Sequence, residues 1–282
     1  TDVDRTGTDE PDALGRTRRK YCYNILVSGL DDDNGGSDTN ILVRFDVPNK
    51  RIDLVSLPRD TLLHNEYRNN KLNFAYAKGG TELLMEQIEN LLGIPVDFYV
   101  TVNLKGFIAL VDQIDGVDFD IPINMDYDDP YQDLHIHFTK GPRHLNGQEA
   151  MEVVRFRHNN DGTGYGTEDI GRIGTQQAFL KAVAKQLLQI GNVKNIPALV
   201  DIFYTYVKTD LTTGNLVWLG NEALNIGTEN IHFATLPGDG SGYYNKQSVY
   251  VLDAQATCDL VNEALNPYNE ALTLEDMDIL VP

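Results

Sequence analysis

Short apolar runs, rich in β-branched residues and leucine and bounded by turn formers, predict strands along much of the chain. The first run is NILVSGL (24–30), and the next two, NILVRFDV (40–47) and RIDLVSLP (51–58), are separated by Pro48-Asn49-Lys50. A turn this short predicts that these two strands form a hairpin. The same pattern predicts further strands at 97–102, 116–123, 135–138 and 230–237.

Other segments repeat apolar residues at helical spacing. The clearest is TQQAFLKAVAKQLLQI (175–190), whose stripe consists of Leu180, Val183, Ala184, Leu187 and Leu188. In TELLMEQIENLLG (81–93), Thr81 is suited to cap the start of a helix and Gly93 its end. Weaker helical patterns are present at 104–114, 146–154, 195–207, 213–224 and 248–265.

Strands and helices alternate without a break in composition, which predicts a single α/β domain over residues 22–266. The chain of 282 residues is long enough to bury a large core. We expect the polar residues 1–21 to be a disordered leader, because they show no apolar period. Residues 267–282 are expected to form an acidic tail.

The chain is strongly acidic, with 42 Asp and Glu against 23 Lys and Arg and a formal charge of −19. Such a field repels nucleic acid, so we expect no nucleic-acid partner. Cys22 and Cys258 lie far apart and match no metal-ligand spacing. A long-range disulfide and two buried thiols remain alternatives.

Charged residues gather in three segments that we expect at the ends of strands, where α/β proteins usually bind ligands. SGLDDDNGGSDTN contributes Asp31, Asp32, Asp33 and Asp38. SLPRDT places Arg59 and Asp60 at the end of an apolar strand. VVRFRHNNDGTGYGTEDIGRIGTQQ contributes Arg155, Arg157, Asp169, Arg172 and Gln176.

The spacing of the third segment suggests a shared purpose. Arg155 and Arg157 face the same way if their segment is extended. Asp169, Arg172 and Gln176 are three and four residues apart and share one face of a helix. Guanidinium groups match phosphate oxygens, and paired carboxylates suit Mg²⁺, so we expect a phosphate and divalent-metal site. Spacing alone leaves surface ion pairs as the alternative.

Nine motifs stand in the order typical of the LytR-CpsA-Psr family, and the chain resembles that family over about residues 22–190. They are NILVSGLD, SDTNILV, LVSLPRDT, KLNFAYAKGG, YVTVNLKGF, VDQIDGV, GPRHLNGQEAM, RFR and DIGRIGTQQ. Each motif is weak evidence by itself, but the ordered set is specific. It therefore favours a functional site over surface ion pairs.

The resemblance implies a phosphotransferase on the extracytoplasmic face of the cell membrane of a Gram-positive-type bacterium. A membrane helix upstream of Thr1 would anchor it. Such enzymes move a glycopolymer, such as wall teichoic acid or capsule, from a polyprenyl-pyrophosphate carrier to peptidoglycan. The implied fold is a single domain with a mixed or mostly antiparallel sheet between helices and an apolar pocket for the lipid.

The resemblance also implies residue roles. Asp38, with Asp31, corresponds to the carboxylates that hold Mg²⁺, with Mn²⁺ as a substitute. The positions that bind pyrophosphate correspond to Arg59, Arg155, Arg157, Arg172 and Gln176. Of these, Arg59 and Arg172 are expected to act in catalysis together with Asp169, which stands where the family keeps an aspartate.

Two departures from the family pattern concern the same region. Thr175 stands where the family often has arginine, so one cation facing phosphate is absent there. The span 158–168 is longer than usual and contains Gly162, Gly164 and Gly166. It is either a flexible lid that faces the acceptor or a tolerated surface insertion.

Other functions remain as alternatives. With water in place of the sugar hydroxyl, the same site would be a polyprenyl-pyrophosphate pyrophosphatase. The loss of an arginine at Thr175 would also fit an inactive lipid-binding module. Family members have been labelled transcriptional regulators, but no helix-turn-helix signal or basic face is present here. His135 and His137 alternate in a predicted strand, yet no third metal ligand has suitable spacing in the sequence.

Overall fold

The computed structural model of the protein describes residues 11–30, 35–166, 168–191 and 196–282. Its strands are β1 (Cys22–Leu30), β2 (Ser37–Asp46), β3 (Arg51–Leu57), β4 (Phe98–Val102), β5 (Val117–Ile121), β6 (Met125–Asp129), β7 (Leu134–Phe138), β8 (Gly141–Leu145), β9 (Val207–Thr209), β10 (Ile231–Thr235), β11 (Gly238–Tyr244) and β12 (Gln247–Leu252). Its helices are α1 (Leu72–Leu92), α2 (Leu104–Gln113), α3 (Gly147–Arg155), α4 (Glu168–Gly191), α5 (Ile196–Tyr206), α6 (Thr213–Ile226) and α7 (Ala254–Ala264). The chain divides into a first unit, Thr1–Asn103 with Val207–Pro282, and a second unit, Leu104–Tyr206.

The first unit is built on a six-stranded sheet with the order β10-β3-β2-β1-β4-β9. Strands β1, β2 and β3 are antiparallel neighbours, so the predicted hairpin is confirmed. Strand β4 runs parallel to β1, and β10 runs parallel to β3. The sheet is therefore mixed, and the expected α/β fold is confirmed.

Helices cover both faces of this sheet. Successive side chains of a strand point to opposite faces, so neighbouring residues of β1 show which helix packs on each face. Leu26 of β1 belongs to a buried cluster that includes Leu84 and Ile88 of α1. Its neighbour Ile25 belongs to a second cluster that includes Leu219 of α6. The alternation along β1 thus assigns α1 to one face and α6 to the other.

Helix α1 begins at Leu72, nine residues before the predicted start at Thr81. The backbone is not helical at Gly79 and Gly80, and Gly80 has a φ of 66°, which glycine adopts without strain. Thr81 therefore follows a kink and does not open the helix. Gly93, also at a φ of 66°, ends the helix as predicted.

The prediction of one helix over 248–265 is wrong in its first part. Residues Gln247–Leu252 form β12, which pairs with β11. The side chain of Asp253 then accepts a hydrogen bond from the N–H of Ala256 at 2.9 Å and caps α7. Since Val249 and Val251 are β-branched and alternate, this segment favours a strand over a helix.

Segments near both ends of the described chain are attached to the first unit. Arg18 forms an ion pair with Asp97 at 3.0 Å, and Arg19 forms one with Asp46 at 2.6 Å. Leu272 is buried in the core. Charge pairing thus holds Arg18 and Arg19 within the segment where a disordered leader was expected. Residues 1–10 of that segment lie outside the described residues, and the domain limits stay a prediction.

The second unit combines helices with two antiparallel strand pairs, β5–β8 and β6–β7. Its core includes Phe119 of β5 and Phe179 of α4, whose ring centroids lie 5.7 Å apart.

Within the described residues, no helix is both long and apolar enough to cross a membrane.

The two cysteines are both buried thiols, which decides between the alternatives of the sequence. Cys22 belongs to β1, and burial raises the pKa of its thiol to about 11. Cys258 belongs to α7, and its thiol lies 3.6 Å from the carbonyl oxygen of Leu272.

Candidate functional site

An ion pair joins the first two predicted segments. Nη1 of Arg59 lies 2.8 Å from Oδ1 of Asp38, and the two side chains are 25% and 29% exposed. The β2–β3 register pairs Asn40 with Leu57, so two further residues along each strand bring Asp38 opposite Arg59. The hairpin therefore places a guanidinium and a carboxylate together at one end of two inner strands of the sheet. Both side chains are partly exposed, so a ligand can reach them.

The turn after β3 holds Arg59 in place. The hydroxyl of Thr61 donates to the carbonyl oxygen of Pro58 at 2.6 Å, and the N–H of Asn73 donates to the carbonyl oxygen of Arg59 at 2.9 Å. Asp60 forms its ion pair with Lys71, 3.1 Å away. SLPRDT is thus a fixed turn attached to the start of α1, which restricts where the Arg59 guanidinium can reach.

The extended conformation predicted for Arg155 is wrong, because Arg155 is the last residue of α3. The helix begins with a capping box between Asn146 and Glu149, and the residue after it, Phe156, has a non-helical ψ of 133°. Arg155 and Arg157 therefore do not share the face of one strand. The guanidinium of Arg155 donates to the side chain of Gln132 at 2.7 Å.

Helix α4 contains the candidates Asp169, Arg172 and Gln176, and it begins at Glu168, seven residues before the predicted start at residue 175. Arg172 is buried, with 6% exposure, which is unusual for a charged side chain. The Gln176 side chain donates to the carbonyl oxygen of Val154 at 3.2 Å, so it lies beside the end of α3. Arg157 is half-buried. In the second unit, the structure thus brings Gln176 next to the segment that contains Arg155.

Two candidates cannot be placed. Asp31 lies outside the described residues, and of Asp169 only the backbone, within α4, is described. Asp38 and Arg59 belong to the first unit, whereas Arg155, Arg157, Arg172 and Gln176 belong to the second. That all of these residues contact one pyrophosphate stays a prediction.

Sequence reasoning missed the role of Tyr165. Its hydroxyl lies 2.7 Å from that of Thr175, and its ring packs edge-on against Phe156. Burial raises the pKa of the Tyr165 hydroxyl. Thr175, where the family resemblance implies an arginine, therefore has a partner supplied by the segment 158–166.

The same segment is also tied to β6. The side chain of Asn159 accepts from the N–H of Asp126 at 2.7 Å, and that of Asn160 accepts from the N–H of Asp128 at 2.6 Å. The described part of the segment, 158–166, is thus bonded at both of its ends. These contacts favour a fixed loop over a flexible lid.

Comparison with known proteins decides the family. The sequence model of the LytR_cpsA_psr family matches residues 3–266. This chain belongs to the LytR-CpsA-Psr family. Among curated members, the polyisoprenyl-teichoic acid–peptidoglycan teichoic acid transferase TagV of Bacillus subtilis is 32% identical over 252 residues, which are 85% of this chain and 62% of TagV. The protein of the same function named TagU, from Bacillus cereus, is 31% identical over 267 residues, 93% of this chain and 83% of TagU.

A solved LytR-CpsA-Psr structure supports the fold. The crystal structure of Bacillus subtilis TagV matches this chain with a TM-score of 0.74 and 28% identity, covering 93% of this chain and 100% of that one. The chain nevertheless spans less than two thirds of the length of the TagV sequence. Family and fold are therefore established together.

Proposed function

We propose that this protein transfers a glycopolymer from a polyprenyl-pyrophosphate carrier to peptidoglycan. The observation that supports this is the similarity, over 85% and 93% of the chain, to two relatives named as teichoic acid transferases. Since peptidoglycan lies outside the cell membrane, we propose that the protein acts on the extracytoplasmic face of that membrane. We also propose that a membrane anchor is present in the full-length protein. The names of these relatives favour teichoic acid as the glycopolymer, and capsule is another glycopolymer that we consider.

In the proposed reaction, an acceptor hydroxyl attacks the phosphorus next to the sugar. A new bond forms between the hydroxyl oxygen and this phosphorus, and the bond from the phosphorus to the bridging oxygen breaks. Polyprenyl phosphate leaves with the bridging oxygen, and the hydroxyl proton passes to solvent. Catalysis of this kind rests on positioning and on neutralisation of the developing charge. Arg59, held by its turn and by Asp38, is suited to neutralise charge on the leaving phosphate.

Three arginines of the second unit, Arg155, Arg157 and Arg172, are further candidates to bind the pyrophosphate. Arg172 is buried, so its charge acts in a less polar surrounding and is worth more to a phosphate than an exposed charge. We propose that Arg172 and Asp169 act in catalysis and that Arg155, Arg157 and Gln176 bind pyrophosphate. Arg155 and Gln176 would exchange their present partners, Gln132 and the carbonyl oxygen of Val154, for phosphate oxygens.

Asp38 fits a role as ligand of Mg²⁺. Its carboxylate is a hard oxygen donor that is partly open to solvent, and Mg²⁺ is usually held by one or two carboxylates together with substrate phosphates. Asp38, with Asp31, would hold the ion, or Mn²⁺ in its place. When bound, the metal would neutralise charge on the pyrophosphate. Arg59 would then turn from Asp38 toward the phosphates.

The experiment uses the purified chain with a synthetic polyprenyl-pyrophosphate-linked saccharide as donor and peptidoglycan fragments as acceptor. Chromatography measures the release of polyprenyl phosphate and the amount of coupled glycan, with Mg²⁺ and with EDTA. We expect coupled product only when acceptor is present, and loss of turnover in EDTA. We also propose the apolar lipid pocket that the family resemblance implies, and mass spectrometry of an organic extract of the protein tests it.

Three other outcomes are informative. Release of polyprenyl phosphate without any coupled glycan identifies a pyrophosphatase. Bound lipid without turnover, with or without acceptor, identifies an inactive lipid-binding module. Absence of both binding and turnover, in a protein whose circular dichroism shows it folded, contradicts the proposal.

A further inference from the structure

The β6–β7 hairpin of the second unit presents two aspartates and two histidines on one exposed face. The pairing register sets Asp128 opposite His135 and Asp126 opposite His137. The residues that alternate with them include Met125 of β6 and Leu134, Ile136 and Phe138 of β7, and these four are buried. Because side chains alternate along a strand, burial of one set of residues forces the four polar side chains to the same outer face.

Distances within this face converge on one oxygen. Oδ1 of Asp128 lies 2.5 Å from Nδ1 of His135 and 3.2 Å from Nε2 of His137. One ligand atom from each of Asp128, His135 and His137 lies within 4.8 Å of the others. Two imidazole nitrogens and a carboxylate oxygen therefore surround a single small volume.

A fourth side chain orients one of these ligands. Nδ1 of His137 lies 2.8 Å from Oδ1 of Asp126, which directs Nε2 of the same ring toward Asp128. Histidine ligands of metals usually make such a bond from their other nitrogen to a carboxylate. Asp126 is thus placed as the outer partner of His137.

The backbone of this face is also fixed. Asn159 and Asn160 bond to the N–H groups of Asp126 and Asp128, and the side chain of Asn160 donates to the carbonyl oxygen of Asp128 at 3.0 Å. Strand β6 is therefore held between β7 and the 158–166 loop. The side chain of Asp128 therefore extends from a backbone that these bonds hold.

We propose that Asp128, His135 and His137 form a binding site for a divalent transition-metal ion of the Zn²⁺ type. Three ligands from imidazole and carboxylate are the protein set typical of zinc sites that keep an open position, with bonds of about 2.0–2.2 Å. His135 binds the ion through the lone pair of Nδ1 and His137 through that of Nε2, so a neutral ring keeps its single proton on its other nitrogen and a protonated ring releases one proton to solvent. Hard Mg²⁺ prefers an all-oxygen shell, so this site is distinct from that of Asp38.

The sequence did not reveal this site, since its third ligand is on another strand. His135 and His137 are two residues apart, whereas Asp128 lies seven residues before His135 and meets it only across the hairpin. The sequence analysis found no third ligand at a suitable spacing, and Asp128 becomes a candidate only through the pairing of β6 with β7.

The test uses the whole chain without a histidine tag, freed of metals with a chelating resin, at pH 8. Calorimetry with Zn²⁺ measures stoichiometry and affinity, and visible absorption with Co²⁺ reports the ligand geometry. We expect one ion per chain. His135→Ala and His137→Ala should each weaken binding at least about tenfold, and Asp126→Asn should weaken it by a factor of about ten.

His144→Ala is the matched control. His144 lies 2.7 Å from Asp118 across the β5–β8 pair, in the same unit and equally exposed, but without a second histidine. We expect this variant to bind Zn²⁺ as the unchanged chain does. Millimolar Mg²⁺ should not displace the bound ion.

Three results would overturn the proposal: no saturable binding of Zn²⁺, binding that survives in the double variant His135→Ala/His137→Ala, or equal loss in His144→Ala. Melting curves recorded without metal show whether each variant is folded. All of the substituted side chains are exposed, so these curves should coincide with that of the unchanged chain.

Discussion

Tyr165 and Thr175 share a hydrogen bond of 2.7 Å between their hydroxyl groups. Thr175 is only 5% exposed, so water does not readily replace this partner. The bond attaches the 158–166 loop to the helix that contains Arg172. The neutral side chain of Thr175 is therefore an attachment point for this loop.

Removal of one hydroxyl of this pair is expected to destabilise the protein more than removal of both. Tyr165→Phe leaves the buried Thr175 hydroxyl without this bond, and such a loss costs about 1–3 kcal/mol. Exchange of both partners for apolar groups of similar shape is often nearly neutral. Urea unfolding followed by circular dichroism should therefore show that the double variant Tyr165→Phe/Thr175→Val is more stable than the sum of the single effects predicts. Strictly additive effects would show that the two hydroxyls do not interact.

Two glycines of α4 provide a second test of the same anchor. A Cβ at Gly171 would lie 2.3 Å from Cβ and Cγ of Tyr165, whereas a Cβ at Gly174 meets nothing within 4 Å. Gly→Ala inside a helix usually stabilises by roughly 0.5–1 kcal/mol, and we expect this of Gly174→Ala. Gly171→Ala should destabilise by about 1–3 kcal/mol, because Tyr165 must move. Melting temperatures that rise equally in both variants would exclude the packing of Tyr165 on Gly171.

The sequence predicted the sheet better than it predicted the ends of elements. Runs such as NILVSGL are buried strands whatever surrounds them, so β1, β2 and β3 agree with expectation. Arg155 was placed in an extended segment because the RFR spacing suits a strand, but the cap at Asn146 starts a helix that includes it. Local pattern does not show where a helix stops.

Contacts between distant residues were the other limit of the sequence. The partner of Thr175 is ten residues away in a glycine-rich loop with no periodic pattern, and Arg59 meets Asp38 only through the β2–β3 hairpin. The family motifs selected Arg59 and Asp38 without indicating that they pair. Side chains that meet across strands or loops are set by register and packing, which a single sequence records only indirectly.

The ion pair between His144 and Asp118 predicts a measurable titration. The hydrogen bond that the His144 ring donates to the carboxylate of Asp118 is the main reason that the pKa of His144 is raised above its ordinary value near 6.5. A raised folded pKa means that the pair stabilises the protein below the ordinary histidine pKa, and that this effect is lost as the pH rises through the folded value. The effect on stability is small because both groups are exposed. NMR titration should show that Asp118→Asn lowers the pKa of His144, and an unchanged value would refute the pairing in solution.

The last prediction concerns the Arg59–Asp38 pair and rests on the proposed function. Asp38→Ala should leave the fold intact, since a partly exposed ion pair contributes about 0–1 kcal/mol. Turnover should fall by about 10²–10³, the usual effect of removing one well-placed electrostatic group from an active site. Asp60→Ala is the matched control, because it breaks a pair of similar exposure, with Lys71, in the turn next to Arg59. The release of polyprenyl phosphate and a melting curve are measured for each variant. If both variants lose turnover equally, the effect comes from the turn, and if Asp38→Ala keeps near-normal turnover at saturating donor, Asp38 has no role in handling the pyrophosphate.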